Sequence, residues 1–147
     1  MDLKTRISDA VKDAMRARDK ARLSALRQIT SEIKRVEVDE RIEPDDTRVL
    51  AILDRMLKQR AESERIYLEA DRKTLADVES FEMSVIREFM PNPLTDAEIG
   101  GLVDETIAES GASGMRDMGK VMALLKPKMQ GRADMAEVSA RVKARLA

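Results

Sequence analysis

The chain contains no cysteine, no histidine and no tryptophan. Without cysteine and histidine there are no disulfides, no thiolate nucleophile, no imidazole base and none of the usual transition-metal ligands. Most enzyme classes lose their best candidate groups together. Aromatic residues are reduced to two Phe and one Tyr in 147 residues, so strands rich in aromatic and β-branched side chains are missing and the expected class is all-α. There is no apolar run of about 18 residues that could span a bilayer. The N-terminus is a charged amphipathic segment without the apolar stretch of a signal peptide, so no membrane association is expected and the location expected is cytoplasmic. The six glycines do not build a phosphate-cradling loop. Gly100-Gly101 lies inside a predicted helix, and Gly111-Ala112-Ser113-Gly114 is not followed by Lys-Ser or Lys-Thr. No nucleotide or other cofactor is expected.

What is present is charge and helical periodicity. Apolar residues make up 43% and charged residues 37%, and 27 Lys and Arg stand against 28 Asp and Glu for a net charge of -1. The balance is uneven along the chain. Residues 1–36 hold ten cations against five acids (+5), and residues 37–50 hold two against six (-4). A basic N-terminal segment beside an acidic connector is suited to nucleic acid or to an acidic protein surface, whereas solvated helix faces account for most of the remaining charges.

Leu3, Ile7, Val11 and Met15 recur at every fourth position and predict a first helix ending near Arg18. Asp19 is a good N-cap for a second helix with Leu23, Leu26, Ile33 and Val36 inward, Arg27 and Lys34 at polar positions, and an end near Glu40. Pro44-Asp45-Asp46 starts a third helix of roughly 25 residues, about 37 Å long, whose charges are spaced to pair as Lys58 with Glu62, Arg60 with Glu64, and Arg65 with Glu69. A fourth helix from Lys73 to Glu88 stops before Pro91-Asn92-Pro93. Thr95 and Glu98 form a capping box for a fifth helix that ends at Gly111, and Asp134 with Glu137 repeats that spacing before a last helix carrying Val138, Val142 and Leu146. Two units are expected, an N-terminal helical bundle over residues 1–90 and a C-terminal three-helix subdomain over 94–147.

Among chemistry-bearing groups, Glu79 and Glu82 have the three-residue spacing of helix-bundle metal carboxylates, but such sites also use histidine. Ion pairing of Glu79 and Glu82 with Arg60 or Arg72 is the expected role. Ser63, Ser80 and Ser84 have no base at Ser-x-x-Lys spacing, so no self-contained active site is legible. The ten methionines are expected mainly in the core.

The run Met118 to Asp134 breaks helix rules most often. Met118, Val121, Met122 and Leu125 define an inward face, while Gly119 costs about 1 kcal/mol relative to alanine there and calls for a close approach to its backbone, as does Gly131. Arg116 and Lys120 are expected one turn apart on the outer face. Lys126, Lys128 and Arg132 approach the start of the final helix, whose end Asp134 would already occupy, so any phosphate contact is expected from side chains.

Met118-Gly119-Lys120-Val121-Met122 followed by Gly131-Arg132-Ala133-Asp134 resembles the C-terminal signature of the GatB/YqeY-domain family. The likeness extends upstream through Leu26-Arg27, Glu32-Ile33-Lys34, Lys58-Gln59-Arg60, Tyr67, Arg72, Leu75, Glu79, Glu82 and Met90-Pro91, and is to the free-standing YqeY-like branch. The resemblance implies a C-terminal part similar to the tail of the aspartyl/glutamyl-tRNA amidotransferase B subunit, which is associated with grasping the tRNA elbow. Catalysis in that carbon-nitrogen ligase, with glutamine as amido donor, belongs to other parts. The function expected from it is therefore a tRNA-related accessory module without its own active site, with Lys120, Lys126, Lys128 and Arg132 as the tRNA contact and amidotransferase or aminoacyl-tRNA synthetase components as further partners. The alternative is a helical protein-protein adaptor, in which those cations are a solvated rim.

Overall fold

Five helix starts in this chain are fixed by a short acidic or hydroxyl side chain placed one residue ahead of the apolar-periodic run. A computed structural model describes residues 2–147. Asp2, Asp19 and Asp45 each accept a backbone N–H three residues on, from Thr5, Arg22 and Arg48, and so open α1 (Leu3–Ala17), α2 (Lys20–Glu40) and α3 (Asp46–Glu69). Each satisfies one of the donors that a helix leaves free at its first turn. Thr95 and Glu98 exchange both capping-box bonds at 3.2 Å to open α5 (Asp96–Ser110). Asp134 accepts from Ala136, one residue earlier than in the other caps, and opens α7 (Met135–Leu146). Between them lie α4 (Lys73–Arg87) and α6 (Met118–Met129), the latter entered through a single 3-10 turn, Met115–Asp117. Among the described residues the only extended pairing is an isolated bridge between Gln130 and Ala133. The fold is all-α.

The chain divides into two compact units, one up to Met90 and one from Pro91 to Ala147. In the first, the α1 amide of Leu3 donates to Asp46 at the start of α3 (2.9 Å) and Lys4 pairs with Glu37 near the end of α2, so α1 and α2 run antiparallel. α3 and α4 form a hairpin whose turn passes through Asp71 at φ 58°. Leu3, Ile7, Ala14, Leu26, Ile29, Ile33, Val49, Leu53, Val85, Ile86 and Phe89 share its core. Met15 is half exposed, and Ala14 is buried in its place. The reason is geometric: four-residue steps drift about 40° each, so the fourth member of the series has turned some 120° from Leu3, whereas an eleven-residue step returns within about 20°.

In the second unit Ile99 and Val103 from α5, Val121, Leu125 and Met129 from α6, and Val138, Val142 and Leu146 from α7 pack into a separate core. Pro127 falls in the last turn of α6. It removes the amide that would bond to Ala123, and both residues are exposed, so water takes over that carbonyl. α6 ends where Gly131 turns to φ 81°. That turn directs the Arg132 carbonyl to the Leu94 amide at 2.8 Å, and the Arg132 Nε donates to the Asn92 carbonyl at 3.0 Å. The Gly-Arg-Ala-Asp run is thereby a clasp on the Pro91–Leu94 segment, and Gly131 is needed for its left-handed backbone. Gly101, by contrast, is exposed in the middle of α5 with open space where a Cβ would stand.

Substitution of these two glycines by alanine should therefore move stability in opposite directions. Gly101→Ala should gain about 1 kcal/mol from helix propensity, and Gly131→Ala should lose about 1–2 kcal/mol from the left-handed penalty. Thermal melts of the two variants against the parent measure both signs.

Candidate functional site

Two regions hold the residues singled out from the sequence. The first lies where α2 crosses the α3–α4 hairpin. Arg60 of α3 turns away from Glu64 on its own helix and pairs with Glu82 of α4 at 3.0 Å, both side chains being only 14% exposed. Gln28 of α2 closes the triangle: its Nε2 donates to Glu82 at 3.0 Å, and its carbonyl oxygen accepts from the Arg60 Nη2. Glu62, expected opposite Lys58, is taken by Arg65, which also holds Glu69. Arg72 stays exposed at the start of α4 and, among the described residues, makes no ion pair. The pairing role expected of it falls to Arg60 alone, because Arg72 sits at the hairpin turn, a full ten residues from Glu82.

Glu79 lies one turn before Glu82 beside the same guanidinium. Burial, then the neighbouring charge of Glu82 and that of Glu64, push its carboxyl above the usual carboxylate range against the pull of Arg60. A groove of about 330 Å³ opens here, lined by Gln28, Gln59, Arg60, Ser63, Glu79 and Glu82, and a larger one of about 640 Å³ shares Gln28, Gln59 and Arg60 with it. Among the described residues no buried side-chain polar atom lacks a hydrogen-bond partner, and no three acidic residues gather in a metal-holding arrangement. Gln28 could not be singled out in the sequence, since nothing local marks a residue whose partners are 32 and 54 positions away.

The second region is the outer side of α6. The helix begins only at Met118, and Arg116 belongs to the 3-10 turn before it, so the expected Arg116–Lys120 pair is not on one helical face. Apart from its chain neighbours and its own helix backbone, nothing among the described residues comes within 4 Å of a Cβ built on Gly119, which is exposed. The close approach expected there is not made by any of the described residues. Gly119, Ala123 and Pro127 follow at four-residue spacing, all exposed. At about 100° per residue they form a strip of short side chains with Lys126 on one flank and Lys120 on the other. Both lysines are exposed and, among the described residues, make no ion pair. Lys128 instead reaches α5, donating to Thr106 Oγ1 and pairing with Glu109, each at 3.3 Å. Arg132 is half buried in the clasp, not on a solvent face. Of the four cations expected together, two remain available.

Cutting Arg60 back to alanine should leave Glu82 largely buried without its counter-charge and cost about 3 kcal/mol, readable by denaturant unfolding. Glu79→Gln should do the reverse at neutral pH. A raised carboxyl is tolerated best when protonated, so the parent loses stability as pH rises through the raised value. The variant's gain in Tm should be present at pH 7, shrink as pH falls through the raised value and be gone below the ordinary glutamate range, and thermal melts at pH 7 and below about pH 4 test it.

Among curated proteins no sequence matches the chain. A family model described as Yqey-like protein matches residues 4–146, spanning both units and both of the regions just described, and the chain therefore belongs to the Yqey-like protein family.

Proposed function

We propose that this chain is a tRNA-binding accessory module, linked to tRNA-dependent amidation and without an active site of its own. The observation that carries this reading is the α6 strip. Gly119, Ala123 and Pro127 present backbone and short side chains, and Lys120 and Lys126 flank them with no ion pair among the described residues. A phosphodiester backbone needs that combination: access for a bulky chain, and cations that are not already neutralised. The match of the Yqey-like family over residues 4–146, together with the likeness to the amidotransferase B-subunit tail, points the reading to tRNA. Lys128 stands at the edge of the contact, where its exposed pair with Glu109 is weak enough to exchange. Arg132 serves the clasp. With only Phe81, Phe89 and Tyr67 as aromatics, recognition rests on shape and backbone rather than base stacking.

A second reading, a protein-interaction adaptor, draws on the α3–α4 hairpin, where Ile66, Leu68, Leu75, Val78 and Phe81 are 40–55% exposed. Such a concentration of apolar surface near one turn is the kind of feature that marks a protein partner. Amidotransferase or aminoacyl-tRNA synthetase components are the partners this reading would supply.

Fluorescence anisotropy with total tRNA separates the two. In the tRNA reading the double variant Lys120→Glu/Lys126→Glu, with unchanged helical content, should bind at least about tenfold more weakly at 100 mM salt. Its log-log salt slope should fall by about 1.4–1.8, or 0.7–0.9 per cation. A parent protein that binds no tRNA at 50 mM salt contradicts the reading and leaves the adaptor.

A further inference from the structure

On α2 the core residues Ala25, Leu26, Ile29, Ile33 and Val36 occupy one side, and the opposite side carries a regular series. Lys20, Arg27 and Lys34 recur every seven residues, with Ser24 and Ser31 at the same interval. Seven residues fall about 20° short of two full turns, so the cations line up in a row with steps of about 10.5 Å. All three are exposed, and among the described residues none makes an ion pair. Most other cations of this segment are engaged, Lys4 with Glu37, Arg16 with Asp13, Arg22 with Glu88, Arg35 with Glu32 and Asp39, and Arg6 over the Phe89 ring at 5.8 Å, while Lys12 and Arg18 lie outside the row.

The row edges a trough. The groove of about 640 Å³ is lined along α2 by Lys20, Ser24, Arg27, Gln28 and Ser31, with Gln59 on its far wall. A second groove of about 670 Å³ continues from Ser31 past Lys34 to Asp39. Together they follow the helix from Lys20 to Asp39, roughly 28 Å. The acids in the trough, Glu32 and Asp39, are both held by Arg35, and Arg60 is held by Glu82, so the three unpaired cations set its sign.

We propose that this trough is a second contact surface for an RNA strand, in which Lys20, Arg27 and Lys34 each meet a backbone phosphate and Ser24, Ser31 and Gln59 donate hydrogen bonds to phosphate or sugar oxygens. It rests on the reading that the chain binds RNA and adds a surface on the other unit from α6. Phosphate is favoured over an acidic protein because no aromatic lines the trough, and protein interfaces are anchored by buried aromatic and other large side chains. Steps of 10.5 Å equal about one Debye length at 0.1 M salt, so the three sites act nearly independently and their salt effects add.

The test is a tRNA titration at several salt concentrations with three variants. Lys20→Gln/Arg27→Gln/Lys34→Gln should weaken binding at least about tenfold at 100 mM salt and lower the slope by about 2–2.7, which is 0.7–0.9 for each of three cations. Lys12→Gln/Lys73→Gln/Arg87→Gln removes the same charge from exposed positions outside the trough and should change affinity less than about twofold. Equal losses in the two triples would show only a general field and overturn the proposal. An unaltered trough triple alongside a weakened Lys120→Glu/Lys126→Glu would overturn the trough and leave the α6 reading standing, and no binding by the parent would overturn both. Polyglutamate displacing the protein as well as RNA does, charge for charge, would also overturn it. Should the trough triple lose its helical signal, Arg27→Gln alone should lower the slope by about 0.7–0.9, and an unchanged slope there overturns the proposal.

Discussion

A guanidinium drawn between helices must bring its counter-charge with it, and Arg60 is where this chain meets that requirement. Isolated in a low-dielectric interior the cation would be costly by several kcal/mol, and the cost is offset only when the carboxylate geometry is good and the remaining donors are used. Glu82 supplies the carboxylate, and Gln28 and the Met56 carbonyl accept further hydrogen bonds, so one interaction ties α2, α3 and α4. It also has a consequence for its neighbour. Because Arg60 is committed to Glu82, Glu79 is left partly buried beside like charge, and its carboxyl rises.

Commitment of charge inside the fold determines what is left outside it. With 27 cations and 28 acids the chain could neutralise nearly every charge locally, and over much of α3 it does, through Arg65 with Glu62 and Glu69. On α2 and α6 it does not. Among the described residues, Lys20, Arg27 and Lys34 on the one helix, and Lys120 and Lys126 on the other, make no ion pair. Exposed pairs contribute little to stability, so leaving these cations unpaired costs the fold almost nothing. It leaves them available to phosphates, whose binding is driven by release of counterions.

What was legible in the sequence is what depends on neighbours a few residues apart. The caps at Asp19 and Thr95, the left-handed stop at Gly111 and the helical class rest on local hydrogen bonding and periodicity. The failures lie where a distant partner overrides the local rule. Arg60 makes the pair with Glu82 that was expected of it but not the one its spacing to Glu64 suggested, because the helix crossing buries it, and Arg132 is taken by Asn92 across forty residues. Arg116 misses the α6 face because the chain enters that helix through a tighter turn. Gly131 is explained by its positive φ, whereas Gly119 faces open space, and no local rule distinguishes the two. The row on α2 was visible as single polar positions, Arg27 and Lys34. Its meaning came only with the knowledge that the cations beside it on α2, Arg22 and Arg35, are paired and these are not.

The central claim is that nucleic acid meets the unpaired cations gathered along α2 and α6 and spares those the fold has used. Backbone and side-chain NMR of the 15N-labelled protein, titrated with tRNA, tests it most directly. The account predicts that resonances of Lys20 to Lys34 along the outer side of α2 and of Gly119 to Pro127 on α6 shift together, while the Arg60 Nε–H stays in place because its partners are internal. Shifts concentrated on the Ile66 to Phe81 hairpin, or spread evenly over paired and unpaired cations alike, would contradict it.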